Sequence, residues 1–390
     1  MSGQKRIAEK FRAKFGVNPY VYRAPGRVNL IGEHTDYNDG FVMPAAIGFY
    51  CWVAASPRQD RKLVISSEEV PEQAEMDLSS REFRRTHSWT DYSFGVAAQL
   101  EKAGYPLAGA NLHFHGEVPI GAGLSSSASI EVATVLALAE GSGHSIDLTR
   151  LARICQQAEN DFVGMRCGVM DQFISLHGRA NHALMLDCRS LDFEFVPIPE
   201  SVRLVICNTG VKHKLAEGEY NRRREECEEA VRSLARALPN IRALRDVSKE
   251  QLERHRGLLS DVAYNRAKHV VTENERVLNG LEALRTGDLH QFGVFMAESH
   301  RSLRDLFAVS CAELDLMVDL AIREEGVYGA RMTGGGFGGA TINLVELQNV
   351  PAFVENMAKG YQKKTGIAPG IYICMPADGA CLVESTEIAG

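Results

Sequence analysis

The segment 119–129, PIGAGLSSSAS, combines two glycines with three consecutive serines between a predicted strand and a predicted helix. Glycine lets backbone N–H groups come close to an anion, and a helix N-terminus adds unpaired N–H groups and the positive end of its dipole. Serine hydroxyls can bond to phosphate or to Mg²⁺. The segment therefore predicts a phosphate-binding loop, with an ordinary helix-capping turn as the alternative.

Other phosphate-binding motifs fit this segment less well. A Walker A loop requires a Gly-Lys pair, and the sequence contains none. A dinucleotide-binding fingerprint requires glycine or alanine at the position where this segment has Ser126. A Rossmann enzyme is therefore the weaker interpretation.

A second segment, 23–40, RAPGRVNLIGEHTDYNDG, crowds acidic, imidazole and amide side chains between apolar strands. Glu33, His34 and Asp36 could ligate a metal ion. The EF-hand spacing fails, however, because its sixth position, counted from Asp36, is Phe41. Paired carboxylates can accept hydrogen bonds from a polyol while histidine and backbone groups supply donors. The segment favours a sugar pocket over a metal site or a structural turn.

A third segment, 159–172, ENDFVGMRCGVMDQ, contains two glycines that separate one predicted helix from the next. Asp171 falls in the first turn of the second helix, where the helix dipole favours an ionised carboxylate. Such a group can take a proton from a reacting hydroxyl or hydrogen-bond to it. The alternative is structural, with Asp171 as a helix cap and Glu159 on a solvated helix face.

A fourth segment, 331–341, RMTGGGFGGAT, is a glycine cluster between two predicted strands. A glycine-rich hairpin would explain it, because glycine serves tight turns. The functional alternative is that the loop closely approaches a nucleotide phosphate. Spacing alone leaves both interpretations open.

Two further groups have structural interpretations. His113 and His115 lie on one face of a predicted strand, and without nearby ligands we expect a solvated strand face rather than a zinc site. The three arginines at 222–224 are followed by four glutamates within 225–229. Ion pairing along an exposed helix is the expected reason for this charge pattern.

The elements that must position these segments follow from hydrophobic periodicity. The first half predicts an amphipathic helix at Ile7, Phe11 and Phe15 and a mixed sheet with helices packed on it. Its strands are expected near 17–24, 48–56, 62–66 and 110–118, and its later helices near 127–140 and 148–162. The second half begins near an alternating strand at 202–206 and predicts a second α+β unit. Its helices are expected at 219–238, 264–286, 289–306 and 311–325, and its strands at 328–333, 340–345 and 370–374.

Composition excludes several classes of protein. The 43 basic and 50 acidic residues give a net charge of −7, which lacks the positive field that nucleic-acid binding uses. Nine cysteines form an odd set without a C-x-x-C pair, so we expect reduced thiols and a cytoplasmic location. The most apolar stretch, 41–55, is interrupted by Pro44 and Gly48 and is too short to span a membrane. A mild net charge and the lack of coiled-coil heptads make a monomer the default expectation.

In this order, the four segments resemble the galactokinase branch of the GHMP small-molecule kinases. Residues 26–38 resemble the galactokinase signature throughout, 119–129 resemble the phosphate loop of the family, and 331–340 resemble its C-terminal glycine motif. The resemblance covers nearly the whole chain from Tyr20 onward. Shorter similarities occur at 89–96, 208–213, 219–224 and 376–380.

Matched motif by motif, the resemblance implies a role for individual residues. Asp171 matches the catalytic aspartate beside the sugar C1 hydroxyl, and Arg27 matches the arginine that steadies it and the transferring phosphoryl group. Ser127 and Glu159 match the Mg²⁺ ligands. The implied galactose contacts are Glu33, His34, Asp36, Gly168 and Tyr220. The implied contacts to the ATP phosphates are Gly121, Ala122, Gly123, Leu124, Ser125, Ser126, Ser127 and Ala128.

The reaction that the resemblance implies is Mg²⁺-dependent phosphoryl transfer from ATP to the C1 hydroxyl of α-D-galactose, the first committed step of galactose catabolism in the Leloir pathway. The alternatives are a kinase for a related sugar, such as N-acetylgalactosamine, and a non-catalytic sensor that binds galactose and ATP. The sensor is disfavoured because such proteins disturb the Ser-Ala pair of the phosphate loop, which is intact here at 127–128.

The fold that the resemblance implies is α+β, the two-domain GHMP kinase fold. The N-terminal domain, 1–200, would be a mixed-sheet domain that carries the signature and the phosphate loop. The C-terminal domain, 201–390, would be α+β, and the active site would lie in the cleft between the two domains. The last predicted strand, 370–374, could return to the first domain.

Overall fold

The computed structural model describes residues 3–80, 82–119, 121–212 and 216–383, apart from the side chains of residues 212, 216 and 217. Ile120 of the predicted phosphate loop and His213 of the 208–213 similarity lie outside the described residues. The helices are α1 Gly3–Phe15, α2 Thr90–Lys102, α3 Ser126–Gly141, α4 Leu148–Gln157, α5 Met170–His177, α6 Ala216–Leu234, α7 Lys249–Arg254, α8 Asp261–Arg285, α9 Leu289–Ser302, α10 Ala312–Ala321 and α11 Val350–Thr365. The strands are β1 Tyr20–Asn29, β2 Phe41–Val42, β3 Pro44–Pro57, β4 Lys62–Ser67, β5 Ala74–Asp77, β6 Ala110–Gly116, β7 His182–Asp187, β8 Phe193–Pro197, β9 Val202–Lys212, β10 Val327–Thr333, β11 Gly338–Glu346, β12 Gly370–Cys374 and β13 Cys381–Val383.

The first sheet has six strands in the order β13-β1-β3-β6-β4-β5. It is mixed, because β4 runs parallel to β6 while the other pairs are antiparallel. On one face α1 packs Ile7 and Phe11 against Val21 and Trp52. The apolar helix α3 packs against β1 and β3 and also contacts α2, α4 and α5. The predicted mixed sheet and the amphipathic N-terminal helix are both confirmed.

The second sheet is antiparallel, in the order β10-β11-β9-β12, and helices cover both of its faces. Side-chain alternation along β9 decides which helices each residue meets. Leu204 and Ile206 share a core with residues of α8 and α9, while Val205 and Cys207 share one with residues of α10 and α11. This arrangement confirms the predicted second α+β unit.

A shared core joins the two sheets. Val28 of β1 and Val277 of α8 belong to the same buried cluster, which also includes Ile342 of β11. A small third sheet, β2-β7-β8, lies beside this cluster and contributes Ala183 and Val196 to it. Residues of β1, α3, α5 and the β10–β11 hairpin line one cleft.

The last predicted strand lies in the second sheet and not in the first. β12 pairs with β9, whereas the strand that returns to the first sheet is β13, in which Val383 pairs with Val21 of β1. Three residues of strand are too short for side-chain alternation to be recognised, so the sequence did not predict β13.

The helix predicted over 148–162 changes its geometry before it ends. It is α-helical to Gln157, and residues 158–163 form a π-helix that contains Glu159. π-helical turns are rare and are frequent at functional sites. A second π-helix, 303–307, follows α9 and takes up the end of the helix predicted over 289–306.

The two histidines of β6 are buried, so the predicted solvated strand face is wrong. His113 Nδ1 lies 2.9 Å from Ser66 Oγ, and His115 Nδ1 lies 2.7 Å from Glu69 Oε1. The parallel pairing of β4 with β6 brings these partners together, and no local pattern predicted that pairing. Within the described residues, no cluster of three or more His, Cys, Asp or Glu side chains is placed to hold a metal ion.

The predicted ion pairs of the arginine cluster on α6 are confirmed, but the helix is only partly exposed. Arg222 pairs with Glu226 and Arg224 pairs with Glu228, each at 3.2 Å. Arg223 is buried and donates to the backbone carbonyl of Phe307 at 2.8 Å.

Among the described helices, none has the length and apolar character that a membrane-spanning segment requires.

Candidate active site

A cavity of about 560 Å³ opens where β1, the N-termini of α3 and α5, and the β10–β11 hairpin meet. This volume lies within the range of small-molecule sites. The predicted site residues that line it are Arg27, Glu33, His34, Asp36, Gly121, Gly123, Leu124, Ser125, Ser126, Ser127, Glu159, Asp171 and Tyr220. Three others are not part of its wall: Ala122 and Ala128, whose side chains are buried, and Gly168, which packs behind Asp36.

The predicted phosphate loop is a chain of left-handed turns that ends at α3. Gly121, Gly123 and Ser125 have φ values of 76°, 69° and 57°. Glycine adopts this conformation without strain, whereas Ser125 is held in it by its surroundings. The helix then starts at Ser126, so its first N–H groups face the cavity.

The glycine hairpin between β10 and β11 packs directly against this loop. A Cβ at Gly334 would lie 2.8 Å from the carbonyl oxygen of Gly123, and one at Gly123 would lie 3.2 Å from that of Thr333. Two backbones in contact leave no room for a side chain at Gly334 and little room for one at Gly123. The hairpin that the sequence suggested is confirmed, and its glycines serve the close approach of two loops.

Asp171 lines the cavity, and three donors hold its carboxylate. Arg27 donates from Nε to Oδ1 at 2.8 Å and from Nη2 to Oδ2 at 2.7 Å, which is the bidentate geometry of strong charge-assisted pairs. The hydroxyl of Ser125 donates to Oδ2. Arg27 also donates from Nη1 to the carbonyl of Gly123 at 2.6 Å. The acid on α5 is thus tied to the phosphate loop through two residues.

Glu159 is buried, so the alternative of a solvated helix face is wrong. Its carboxylate accepts hydrogen bonds from Gln172 Nε2 at 2.7 Å and from the Ser127 hydroxyl. Burial and the nearby charge of Asp171 raise the pKa of Glu159 to about 7. Gln172 Nε2 also donates to the fully buried Glu131 at 2.9 Å, so the amide bridges two acids that the sequence did not connect.

The segment 30–40, which we call the sugar loop, turns sharply three times. Gly32, His34 and Asp39 have φ values of 96°, 62° and 57°. Two of these residues are not glycine, and left-handed backbone at such positions persists only where neighbouring groups hold it.

The side chain of Glu33 is held inside the loop. It accepts from Asn29 Nδ2 and from the backbone N–H of Gly334, and Arg331 Nη2 lies 3.8 Å away. Burial raises the pKa of Glu33, while the charges of Arg331 and Arg27 act against that shift. The contact with Gly334 joins residues 301 positions apart, which connects the sugar loop to the glycine hairpin.

His34 is a neutral ring in an aromatic cluster. Burial lowers the pKa of His34 to about 3, so it carries no charge at neutral pH. Its Nδ1 lies 2.9 Å from the Tyr37 hydroxyl, and its ring centroid lies 5.5 Å from that of Tyr220 and 4.7 Å from that of Phe307. A sugar bound here would meet both polar ring atoms and aromatic faces.

Asp36 faces the cavity from the same loop and is packed against Gly168. A Cβ at Gly168 would lie 2.1 Å from Oδ2 of Asp36, so glycine is the residue that this contact allows. Burial, and then the charge of Asp171, raise the pKa of Asp36 to about 7. The two aspartates therefore share one small region of the cavity.

Part of the cavity lining is apolar, and the sequence did not predict most of it. The apolar and aromatic lining residues include Val70, Trp89, Tyr92, Phe114, Ile130 and Met165. Trp89 and Tyr92 were noted only as a shorter similarity, and the others look like ordinary core residues in the sequence. A flat aromatic base would fit the chemistry of these apolar side chains, while a phosphate chain and a polyol would fit the polar lining.

Comparison with known families gives three matches along the chain. A galactokinase galactose-binding signature matches residues 9–57, the GHMP kinases N terminal domain matches 91–179, and the GHMP kinases C terminal domain matches 281–363. The first match contains the sugar loop, the second contains the phosphate loop and Asp171, and the third contains the glycine hairpin.

Similar proteins match over nearly the full length. The chain is 46% identical to a galactokinase of Roseiflexus sp. strain RS-1 over 96% of this chain and 95% of that protein. It is 47% identical to a galactokinase of Chloroflexus aggregans over 98% of both. The crystal structure of Lactococcus lactis galactokinase complexed with galactose has a TM-score of 0.94 and 35% identity, covering 98% of this chain and 100% of that chain. A mevalonate kinase structure, with a TM-score of 0.65 and 18% identity over 92% of this chain and 99% of that one, shares the fold alone.

Proposed function

Because this chain belongs to the galactokinases of the GHMP kinase family, we propose that Asp171 and Arg27 carry out phosphoryl transfer from ATP to the C1 hydroxyl of galactose. The chain is an ATP-dependent sugar kinase, and its GHMP fold is the one that the sequence implied. The N-terminal unit, 1–200, would carry the sugar loop and the phosphate loop. The C-terminal unit, 201–390, would close the cleft with the glycine hairpin.

The observation that carries this assignment is the position of Asp171 between two subsites. On one side, Ser125 of the phosphate loop donates to its carboxylate. On the other side, its charge contributes to the raised pKa of Asp36 in the sugar loop. A hydroxyl held by the sugar loop and a phosphate held by the phosphate loop would therefore both lie beside this one acid.

The proposed reaction needs positioning and charge stabilisation more than covalent chemistry. Asp171 aligns the C1 hydroxyl and accepts its proton as the oxygen attacks the γ-phosphorus. A new O–P bond forms, the bond to the β-phosphate oxygen breaks, and ADP leaves with that electron pair. Arg27 holds Asp171 through two hydrogen bonds and places positive charge near the transferring group. The first N–H groups of α3 and the backbone of the phosphate loop hold the phosphates.

Ser127 and Glu159 would hold Mg²⁺ together with the phosphates of ATP. The two side chains are hydrogen-bonded to each other and line the cavity at the start of α3. A carboxylate and a hydroxyl are hard oxygen donors, and Mg²⁺ in kinases takes one or two protein ligands with the remainder from phosphates and water. The residues present therefore fit this ion, which would supply neutralisation of phosphate charge when bound.

Galactose is held, in this proposal, by the residues that the resemblance assigned to it. Asp36 accepts hydrogen bonds from two sugar hydroxyls, and His34 and Glu33 add polar contacts from the same loop. Tyr220 covers the sugar with its ring, which packs against His34. Gly168 acts differently from the others, because it keeps Asp36 in place by leaving room for it.

The test is coupled ADP release with Mg-ATP and a panel of galactose, glucose, N-acetylgalactosamine, arabinose and mevalonate. We expect turnover selective for galactose, with ³¹P NMR showing a phosphate on C1 and not on C6. Turnover on another member of the panel would overturn the assignment of the sugar pocket. Galactose binding without ADP release would instead favour the sensor.

Galactose affinity should depend on pH through Asp36. Because the pKa of Asp36 is about 7, its carboxyl group is fully ionised only above neutral pH. The ionised form is the one that offers all the acceptor lone pairs. As pH falls through 7 the carboxyl gains a proton, so the dissociation constant for galactose should rise by about tenfold per pH unit. Calorimetric titration with galactose, without nucleotide and between about pH 5.5 and 8.5, measures this loss of affinity at acid pH.

The same titration contains its own control. Asp171→Asn removes the charge that helps to raise the pKa of Asp36. In that variant the loss of galactose affinity should therefore begin at a lower pH. A galactose affinity that stays constant across the range would contradict the role given to the Asp36 carboxylate.

We also propose that the enzyme works as a cytoplasmic monomer that binds neither nucleic acid nor membranes. The net charge of −7 supports the absence of a nucleic-acid partner. All nine cysteines are free thiols, and six of them are buried, which supports a reducing compartment. Sedimentation of the purified protein would test the monomer.

A further inference from the structure

The sugar loop is held from behind by side chains of α8. Residues His269, Glu273 and Asn274 of this helix are all buried, and each makes a hydrogen bond to the backbone of the loop or of the residue that follows it. None of the three lines the cavity. They are therefore placed to act on the substrate-facing residues without touching a substrate.

Glu273 fixes the first sharp turn of the loop. Its Oε1 accepts from the backbone N–H of Gly32 at 3.0 Å and from the Ser299 hydroxyl at 2.5 Å, and its Oε2 accepts from Arg276 Nε at 2.7 Å. Burial alone would raise the pKa of Glu273, but the charges of Arg276 and its other neighbours lower it to about 2. The Glu273 carboxylate is therefore an anion that three hydrogen bonds hold in one orientation.

His269 fixes the next residue. Its Nε2 lies 3.0 Å from the carbonyl oxygen of Glu33, and its Nδ1 lies 2.8 Å from Ser302 Oγ. A carbonyl oxygen only accepts, so Nε2 carries the proton, and Nδ1 accepts from the serine hydroxyl. The ring is neutral, because burial lowers the pKa of His269 to about 4. The tautomer is thus set by two partners on opposite sides.

Asn274 holds the end of the loop. Its Oδ1 accepts from the backbone N–H of Phe41 at 3.0 Å. His269 and Glu273 are four residues apart and therefore lie on one face of the helix, and Asn274 is the next residue after that pair. The carbonyl of Glu33 directly precedes the left-handed His34, and the N–H of Gly32 lies two residues before it. Small shifts of these backbone groups would redirect both the Glu33 and the His34 side chains.

We infer that Glu273 and His269 are positioning residues for galactose recognition. They hold Gly32 and Glu33 so that a loop with left-handed residues at 32, 34 and 39 keeps one conformation. The loop comes from the first half of the chain and α8 from the second half. Sugar affinity thereby depends on the packing of the two halves and not only on groups that contact the sugar. The inference rests on the proposal that the sugar loop contacts galactose.

The test is Glu273→Gln, which keeps the size of the side chain. Both carboxylate oxygens of Glu273 accept hydrogen bonds, whereas one end of the glutamine amide is an NH₂ group, which only donates. We expect the KM for galactose and its calorimetric dissociation constant to rise by about tenfold or more, because bonds to a buried charge are lost. The KM for ATP should stay within about twofold, since the hydrogen-bond partners of this carboxylate, Gly32, Ser299 and Arg276, lie outside the phosphate loop.

The matched control is Glu275→Gln. This residue lies on the same helix, is partly exposed and pairs with Lys249, away from the loop. The same chemical change there should leave both KM values unchanged.

If Glu273→Gln fails to fold, Ser299→Ala provides a milder variant, because it removes one donor to the same carboxylate. We expect a rise of about threefold in the KM for galactose.

The outcomes separate the two proposals. A purely structural role of Glu273 would lower thermal stability and the amount of active enzyme while leaving both KM values alone, and that result would overturn the inference. Asp36→Ala tests the loop itself. If this substitution leaves the KM for galactose unchanged, the sugar pocket is wrong, whereas a rise with Asp36→Ala and none with Glu273→Gln refutes only the role of α8.

Discussion

Substitution of Asp171 by asparagine should reduce kcat by about 10³-fold or more while the KM for galactose changes little. Asparagine has nearly the same shape but lacks the charge and the basicity that the reacting hydroxyl requires. Its amide also places N–H groups against Arg27 or Ser125, both of which donate to the present carboxylate. Steady-state kinetics of ADP release and calorimetric titration with galactose measure the two effects separately.

The interpretation of that result requires that the variant is folded. Removing the partner of a buried arginine is costly, so urea unfolding of the Asp171→Asn protein must accompany the kinetics. Asp161→Asn is a suitable control, since its carboxylate lies ten residues earlier, is more than half exposed and pairs with Lys102 at 3.7 Å. The control should keep parental kcat. A folded Asp171→Asn enzyme with more than about a tenth of the parental kcat would exclude this residue from proton transfer.

Gly168→Ala should lower kcat/KM for galactose by about 10²-fold. The new Cβ would lie 2.1 Å from Oδ2 and 2.7 Å from Cβ of Asp36, so the whole side chain of the aspartate has to move. The backbone of Gly168 is not in the left-handed region, so alanine itself causes no backbone strain. The loss should therefore appear in the KM for galactose, and the KM for ATP should remain at its parental value.

Gly48→Ala is the matched control for this substitution. Gly48 is on β3 and is exposed, a Cβ there meets no atom within 4 Å, and its backbone is likewise outside the left-handed region. The control should have the kinetics of the parent. Equal kcat/KM values for Gly168→Ala and the parent would show that the position of Asp36 does not govern galactose binding.

Much of the fold could be predicted because it depends on local pattern. The alternating residues 202–206 and the helical periodicity of 264–286 correspond to β9 and α8. A helix with Asp171 in its first turn was predicted from the two glycines that precede it, and α5 begins at Met170. Short or irregular elements were missed because they lack such a pattern. The three residues of β13 are too few to show side-chain alternation, and the single π-turn at 158–163 is too short to show its own periodicity.

The supporting residues of the site could not be predicted from the sequence. His269 and Glu273 have the four-residue spacing of one helix face, which was visible, but nothing local indicated that this face meets the sugar loop. Gln172 likewise stands beside Asp171 in the sequence, while its contacts to Glu131 and Glu159 depend on how α3, the π-turn and α5 pack. The buried His113 is another case, because its partner Ser66 is supplied by a parallel strand.

By itself the sequence determined which segments are candidates for the site, since the glycine, serine and acidic residues of the four segments are local requirements of turns, helix ends and hydroxyl recognition. Only the tertiary structure decided what those segments form together. Arg27 meets Asp171 across 144 positions, and Glu33 meets Gly334 across 301. Hydrogen bonds of this kind depend on strand register and on the packing of helices against sheets, and a local pattern specifies which face of an element is buried but not which element covers it.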